Sequence, residues 1–335
     1  VHSQLSRQLN WNTLTPPNFP IGASSRELGM NTNRAEYLTH DGVMISDVSD
    51  ILLNAPEGIF IDATYGYGSH FNHFSKNHNQ LNFIGFDRDG ESVFNSDPSH
   101  EVVHSNFSNI DKYLELNNIN SISGVFYDFG VSSHQLDSSH RGFSFQDDAN
   151  LDMRMDLSQK LSAKDVINEY EINKLINIFF SFGEEKHSKK IANLIIENRP
   201  VNTTEQLVNI IKSALPRQNP KFTNSTVRKI FQSIRIEVNN ELNEIITSIN
   251  KLKSFINKDG LMIFLTYHSI EDKIVKKFID KEVTGCICDP KFAICTCNNS
   301  AQFKLGKFKK RKSSISEIKS NPRSKSAVLR YMVKI

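Results

Sequence analysis

The feature that most constrains this chain is a short apolar run that stops at an acid and then recurs. Gly58-Ile-Phe-Ile-Asp62 is followed by a glycine-containing turn and by His70 to Lys76, which has helical character. Asn82-Phe-Ile-Gly-Phe-Asp87, Glu101-Val-Val-His104 and Gly124-Val-Phe-Tyr-Asp128 continue the pattern. Strands that end in acids and alternate with helices predict a parallel α/β sheet, whose ligands sit beyond the carboxyl ends of the strands. From about Gln135 to Pro220 the strand signal vanishes, and Ser162-Ala-Lys-Asp165 and Thr203-Thr-Glu-Gln206 read as capping boxes that open helices. A longer helix is predicted next, with Ile230, Ile234, Val238, Leu242, Ile245, Ile246, Ile249 and Leu252 on one face. Strands resume at Leu261 to Thr266, after a turn at Asp259-Gly260, and again at Ala327 to Val333. The expected fold is a doubly wound sheet interrupted by a helical insertion.

A glycine-rich turn straight after a strand lets backbone approach a ligand that side chains would exclude. Gly66 and Gly68 supply that turn here, and Asp87, 25 positions after Asp62, supplies an acid able to accept hydrogen bonds from ribose hydroxyls. An ordinary strand-to-helix turn and a helix cap are the bland readings of the same residues, and enzymes that bind NAD share the plan. The dinucleotide fingerprint needs a third glycine, however, and this chain has Gly66-Tyr-Gly68-Ser-His-Phe71. A cofactor without a pyrophosphate fits better, with S-adenosylmethionine the leading one.

A chain of 335 residues suggests two domains, or one with a large insertion. Its 38% hydrophobic content suits a soluble globular protein, and no apolar run approaches the roughly 20 residues that cross a bilayer. The net charge of +3 is unevenly placed: from Lys304 to Lys334 eleven Lys or Arg face the single acid Glu317, a bias that attracts phosphate or is simply a solvated basic tail. All four cysteines fall within Cys286 to Cys297 as C-x-C-x6-C-x-C, which fits a reducing, cytoplasmic setting better than a secreted disulfide framework. Two such pairs can furnish a zinc site, but one-residue spacing strains chelation, and thiols without metal or a redox-labile pair are the other readings. Val1 to Gly29 is Ser-, Asn- and Pro-rich without periodicity, as in a transit peptide, a disordered tail or sequence upstream of a start at Met30.

At Asp128-Phe-Gly-Val-Ser-Ser133 and on to Gln135, with Arg141-Gly-Phe-Ser-Phe145 and Leu151-Asp-Met-Arg-Met-Asp156, the chain resembles the RsmH (MraW) family. These are bacterial methyltransferases of the N4 amine of a cytidine in small-subunit (16S) ribosomal RNA. Gly183-Glu-Glu-Lys186, Phe231 to Leu242, Tyr267-His-Ser-Ile-Glu-Asp-Lys273 and Asn321 to Arg330 are similar to further blocks of that family, in its order. The resemblance implies a Rossmann-like class I methyltransferase sheet with an inserted all-helical domain. It divides the chain into a disordered or targeting extension (1–33), a first methyltransferase part (34–135), a helical insertion for RNA recognition (136–240) and a second methyltransferase part (241–335). It implies S-adenosylmethionine as cofactor, held by Gly66, Gly68, Ser69, His70, Asp87, Phe107, Asp128 and Gln135. Ser69 stands where the family has a second glycine, and Gly42 and Asn150 where it usually has proline.

Cytosine N4 is a poor nucleophile because its lone pair is delocalised into the ring, so the enzyme's work is alignment, and no metal is required. Asp128, at the end of the fourth strand, is expected to serve both cofactor and target amine, or the cofactor alone. His268 and Ser269 follow a strand and are candidates for the base or its phosphate, His268 as a second catalytic residue; a structural histidine is the alternative. The substrate must be unpaired at the moment of transfer. Arg141, Phe143, Phe145, Arg154 and the basic C-terminal segment offer surfaces for phosphates and unstacked bases, burial of the phenylalanines being the competing reading. The partner expected is small-subunit ribosomal RNA or the assembling small subunit, with no membrane, and a homodimer is left open. A DNA amino-methyltransferase usually carries Asp/Asn-Pro-Pro-Tyr at the fourth strand, and Asp128-Phe-Gly-Val lacks both prolines. A silent RNA-binding factor would have no need to keep Gly68, Asp87 and Asp128 together.

Overall fold

Among the described residues of the computed structural model (42–215, 220–286, 288, 294, 297 and 300–335), eight strands form one sheet. They are β1 (Gly58–Asp62), β2 (Leu81–Asp87), β3 (Val102–His104), β4 (Ile122–Asp128), β5 (Ile256–Thr266), β6 (Phe303–Leu305), β7 (Arg311–Lys312) and β8 (Val328–Lys334). Their order across the sheet is β3-β2-β1-β4-β5-β8-β6, with β7 also against β8. The pairs from β3 to β5 are parallel, and β8 is antiparallel to β5, β6 and β7. The chain runs outward from β1 to β3 and then lays β4 on the other side of β1. At such a reversal the loops diverge and a crevice opens beyond the carboxyl ends of the strands.

Alternate strand residues face opposite sides, and both sides are buried. Phe60, Phe126 and Ile263 pack with α1 (Ile45–Leu52) and α2 (Ser69–Asn77), among them Phe71 and Phe74. Their neighbours Ile61, Tyr127 and Phe264 face the opposite layer. Short helices α3 (Gly90–Phe94), α4 (Ile110–Leu116) and α5 (Ser133–Asp137) follow β2, β3 and β4.

A separate core lies in the insertion, formed by α6 (Ala163–Glu169), α7 (Ile172–Ser181), α8 (Ser188–Glu197), α9 (Thr204–Ala214) and α10 (Pro220–Asn239). Both expected capping boxes form, Ser162 with Asp165 and Thr203 with Gln206. The single long helix does not. Asn240, in the left-handed region at φ 51°, splits it into α10 and α11 (Glu241–Leu252). Ile230, Ile234 and Val238 then pack in the insertion, whereas Ile245, Ile249 and Leu252 pack on the sheet and Ile246 is 44% exposed. Asparagine visits this conformation at little cost, so one apolar periodicity serves two cores. The Asp259-Gly260 turn lies within β5: pairing steps from Ile122 with Ile256 to Gly124 with Leu261, a bulge with Asp259 at φ 61°. Helices α12 (Ser269–Val283) and α13 (Ile315–Ser320) complete the fold, and no helix among the described residues is long and apolar enough to cross a membrane. The expected extension 1–33 lies outside the described residues.

Candidate active site

The turn after β1 is tied to its neighbours by backbone bonds: the Ala63 amide donates to the Phe126 carbonyl and the Tyr65 amide to the Phe86 carbonyl, each at 2.9 Å. Gly66 and Gly68 have φ of 56° and 77°, and Gly68 is the left-handed cap of α2. A Cβ on Gly68 would lie 2.7 Å from the Tyr65 hydroxyl, so both conformation and space require glycine there. Ser69 is already the first helical residue and is not among the residues with positive φ, so its Cβ causes no backbone strain.

Asp87 closes the turn from the β2 side. Its Oδ2 accepts the Gly66 amide at 2.7 Å and the Ser92 hydroxyl at 3.1 Å, and its Oδ1 accepts the Asp89 amide at 2.8 Å. The Ser92 hydroxyl also donates to the Gly66 carbonyl. Burial raises the Asp87 carboxyl to about 6; the Asp89 amide opposes this, the Asp89 charge adds to it, and the Gly66 amide and Ser92 hold it down. At the end of β1 Asp62 is 1% exposed, with one oxygen on the Thr64 amide and Oδ2 without a hydrogen-bond partner. Burial pushes its carboxyl up to about 8 against the Thr64 amide, with Asp128 and then Asp87 adding to the rise.

Asp128, at the end of β4, lies between β1 and β5. Its Oδ1 accepts the Tyr267 hydroxyl at 2.6 Å, and its Oδ2 is 3.5 Å from Nδ1 of His70. The other ring nitrogen of His70 is 2.9 Å from the Val43 carbonyl and acts as donor there, since that oxygen can only accept. Gly42 lies against the His70 ring, where an added Cβ would come within 2.8 Å of it. Burial raises the Asp128 carboxyl, with His70 and Tyr267 pulling it down. Burial, and then the Asp128 charge, push the Tyr267 phenol well above its ordinary value. Three carboxylates thus end neighbouring strands at the switch-point crevice, and the charges of Asp128 and Asp87 raise the cost of ionising Asp62. A cation bound among them would relieve that cost. S-adenosylmethionine carries a sulfonium and an ammonium group and no pyrophosphate, and the orphaned Asp62 oxygen, the glycine turn and the remaining acceptor capacity of Asp87 fit it.

Other expected site residues are placed differently. Arg141 is 2% exposed; its guanidinium meets Asp89 at 3.1 Å and Glu91 at 3.2 Å and donates to the Arg154 and Met155 carbonyls at 2.9 and 3.0 Å. It is a buried clasp between the β2–α3 turn and the Leu151–Asp156 block. Phe143 is buried in the insertion core, and Phe145 packs against it. Arg154 spends its nitrogens on the Asp152 carboxylate, at 2.8 Å twice, and on the Leu157 and Gln159 carbonyls. Gln135 is buried, accepting the Ser132 amide at the start of α5 and donating to Asp89 at 2.8 Å. Phe107 packs edge-on to Tyr127 and Phe129 beside the sheet.

His268 caps α12. Its ring accepts the Glu271 amide at 3.4 Å, and Nε2 lies 2.9 Å from the same residue's Oε1. Glu271 is fully buried; burial pushes its carboxyl up, but His268, Arg235 and the Tyr267 amide outweigh that and lower it. Ser269 donates to Glu184 of the insertion at 2.9 Å. In this geometry His268 is a helix cap and Ser269 a contact between α12 and the insertion. Tyr267 belongs to the Tyr267–Lys273 block, where the sequence assigns it no role of its own. Its signal was the position just past a strand, the same that singled out His268.

A family model described as the MraW methylase family matches residues 37–335. A ribosomal RNA small subunit methyltransferase H of Clostridioides difficile (strain 630) is 39% identical over 307 residues, covering 88% of this chain and 99% of that protein. The protein of the same name from Halothermothrix orenii is 38% identical over 308 residues, covering 89% and 99%. The match runs through the sheet, the crevice and the helical insertion together, and the chain belongs to the MraW methylase family.

Proposed function

We propose that this chain transfers a methyl group from S-adenosylmethionine to the N4 amine of a cytidine in small-subunit ribosomal RNA. The observation that carries the reading is Asp128, which accepts the Tyr267 hydroxyl and lies 3.5 Å from His70 Nδ1 at the sheet's switch point, beside the glycine turn. The relatives described above bear the matching RNA and reaction in their names.

The Gly66–Gly68 turn, Ser69, Asp87 and Phe107 hold the cofactor, Asp87 through ribose hydroxyls, and Gln135 acts through Asp89. When bound, S-adenosylmethionine supplies a methyl group already activated by its sulfonium leaving group. Asp128 accepts a hydrogen bond from the target amine and thereby aims the nitrogen lone pair. Transfer leaves the nitrogen one proton in excess, and the Asp128 carboxylate, with His70 Nδ1 3.5 Å from its Oδ2, is the proposed acceptor.

The helical insertion, 136–240, is proposed to help bind the RNA. A second surface is the exposed Lys309, Lys310 and Lys312. Arg311 pairs with Leu329, which pairs with Leu265 near the carboxyl end of β5, so this basic run borders the same edge of the sheet as Asp128 and Tyr267. Incubation with methyl-labelled cofactor and assembled small subunits, naked small-subunit RNA or DNA tests the reading. Label is expected in the ribosomal RNA of one of the first two arms; label in DNA alone would overturn it.

A further inference from the structure

The cysteine cluster takes no part in the chemistry above. It lies in the loop between α12 and β6, whose ends meet where the Gln302 amide donates to the Glu282 carbonyl at 3.0 Å. Of its described residues, Ile294 is 77% exposed and Cys286 is exposed. Ordering each residue of a loop costs on the order of 1–2 kcal/mol of backbone entropy. Yet the sulfurs of Cys286, Cys288 and Cys297, drawn from both ends of the cysteine segment, all lie within 4.8 Å of one another.

The Cys286 and Cys297 sulfurs are 3.8 Å apart. That is far beyond the roughly 2 Å of a disulfide. A tetrahedral zinc–thiolate centre with bonds of about 2.3 Å sets its sulfurs about 3.8 Å apart, so this pair has the separation of one edge of such a centre. The one-residue spacing that strains a C-x-C chelate on paper does not keep the Cys286 and Cys288 sulfurs apart, and the third sulfur comes from the far end of the segment.

We propose that Cys286, Cys288 and Cys297 are ligands of a structural zinc-class cation that cross-links this loop. Soft thiolates favour zinc over magnesium or calcium, and each sulfur releases its proton on binding. Structural zinc sites are four-coordinate, and the remaining cysteine of the chain, Cys295, belongs to the same segment but lies outside the described residues. The cation fixes the loop where it leads into β6 and the basic run beyond it.

The test uses the full chain, purified under reducing conditions, loaded with zinc and desalted, with cobalt in place of zinc in a parallel sample. About one metal per chain and an intense sulfur-to-cobalt charge-transfer band are expected. Both should be lost in Cys286→Ser and in Cys297→Ser, with far-ultraviolet circular dichroism and cofactor affinity at the parent's values. Parent protein that retains no metal and shows no sulfur-to-cobalt band would overturn the proposal, and so would a Cys286→Ser/Cys297→Ser variant that keeps its metal. Because the parent's own metal content and spectrum can refute the site, the test does not depend on the variants folding.

Discussion

Replacing Arg141 by alanine separates a buried clasp from an RNA contact. The guanidinium is 2% exposed, its partners Asp89 and Glu91 are 4% and 11% exposed, and two carbonyls of the Leu151–Asp156 block accept from it. At this burial solvent screening is weak, and removing one partner strands the others. Breaking a buried ion pair in this way costs about 3–5 kcal/mol. The carbonyl bonds add less than their separate worth, because the groups form one network. Urea denaturation followed by circular dichroism, compared with the parent, should show a loss of about 3–5 kcal/mol. Arg141→Lys should recover only a small part, since an ammonium cannot reproduce the planar fork. A loss under about 0.5 kcal/mol, as for an ordinary surface arginine, combined with weakened RNA binding would refute the clasp.

Asp87→Ala should weaken cofactor binding by about 1.5–3 kcal/mol by calorimetry. Ribose hydroxyls favour the ionised form of Asp87, whose carboxyl stands at about 6, so affinity should fall as pH drops through about 6; a flat profile would remove Asp87 from the site. Tyr267→Phe removes the 2.6 Å hydrogen bond to Asp128. A bond to a charged group is worth about 1.5–3 kcal/mol, so kcat should fall about tenfold to 150-fold with cofactor affinity little changed, and a parental kcat would contradict the arrangement. Gly142→Ala sets a Cβ 2.3 Å from the Asn150 carbonyl at φ 68°, and should destabilise by at least about 1–3 kcal/mol in the same urea assay; an unchanged midpoint would contradict the crowding.

The sheet and its crevice were legible because burial on both faces writes apolar runs, and because the acids that end them, Asp62, Asp87 and Asp128, mark the carboxyl edge. The capping boxes at Ser162 and Thr203 were legible because their hydrogen bonds are local. The division of one periodic segment at Asn240 was not, since apolar spacing continues across the break while the core it faces changes. Nor was the fate of Arg141: an arginine beside aromatics reads alike whether it meets phosphate or buried carboxylates, and its partners Asp89 and Glu91 lie some 50 positions away. The pairing of Tyr267 with Asp128 joins residues 139 positions apart and exists only once β4 and β5 are adjacent.

Transfer to N4 aimed by Asp128 is tested most directly by nucleoside mass spectrometry of small-subunit RNA after reaction with the parent chain and with Asp128→Asn, with cofactor affinity measured in parallel. N4-methylcytidine is expected from the parent and at most a trace from Asp128→Asn, which should still bind cofactor. Methyl on another atom of the RNA, or full turnover by Asp128→Asn, would contradict it.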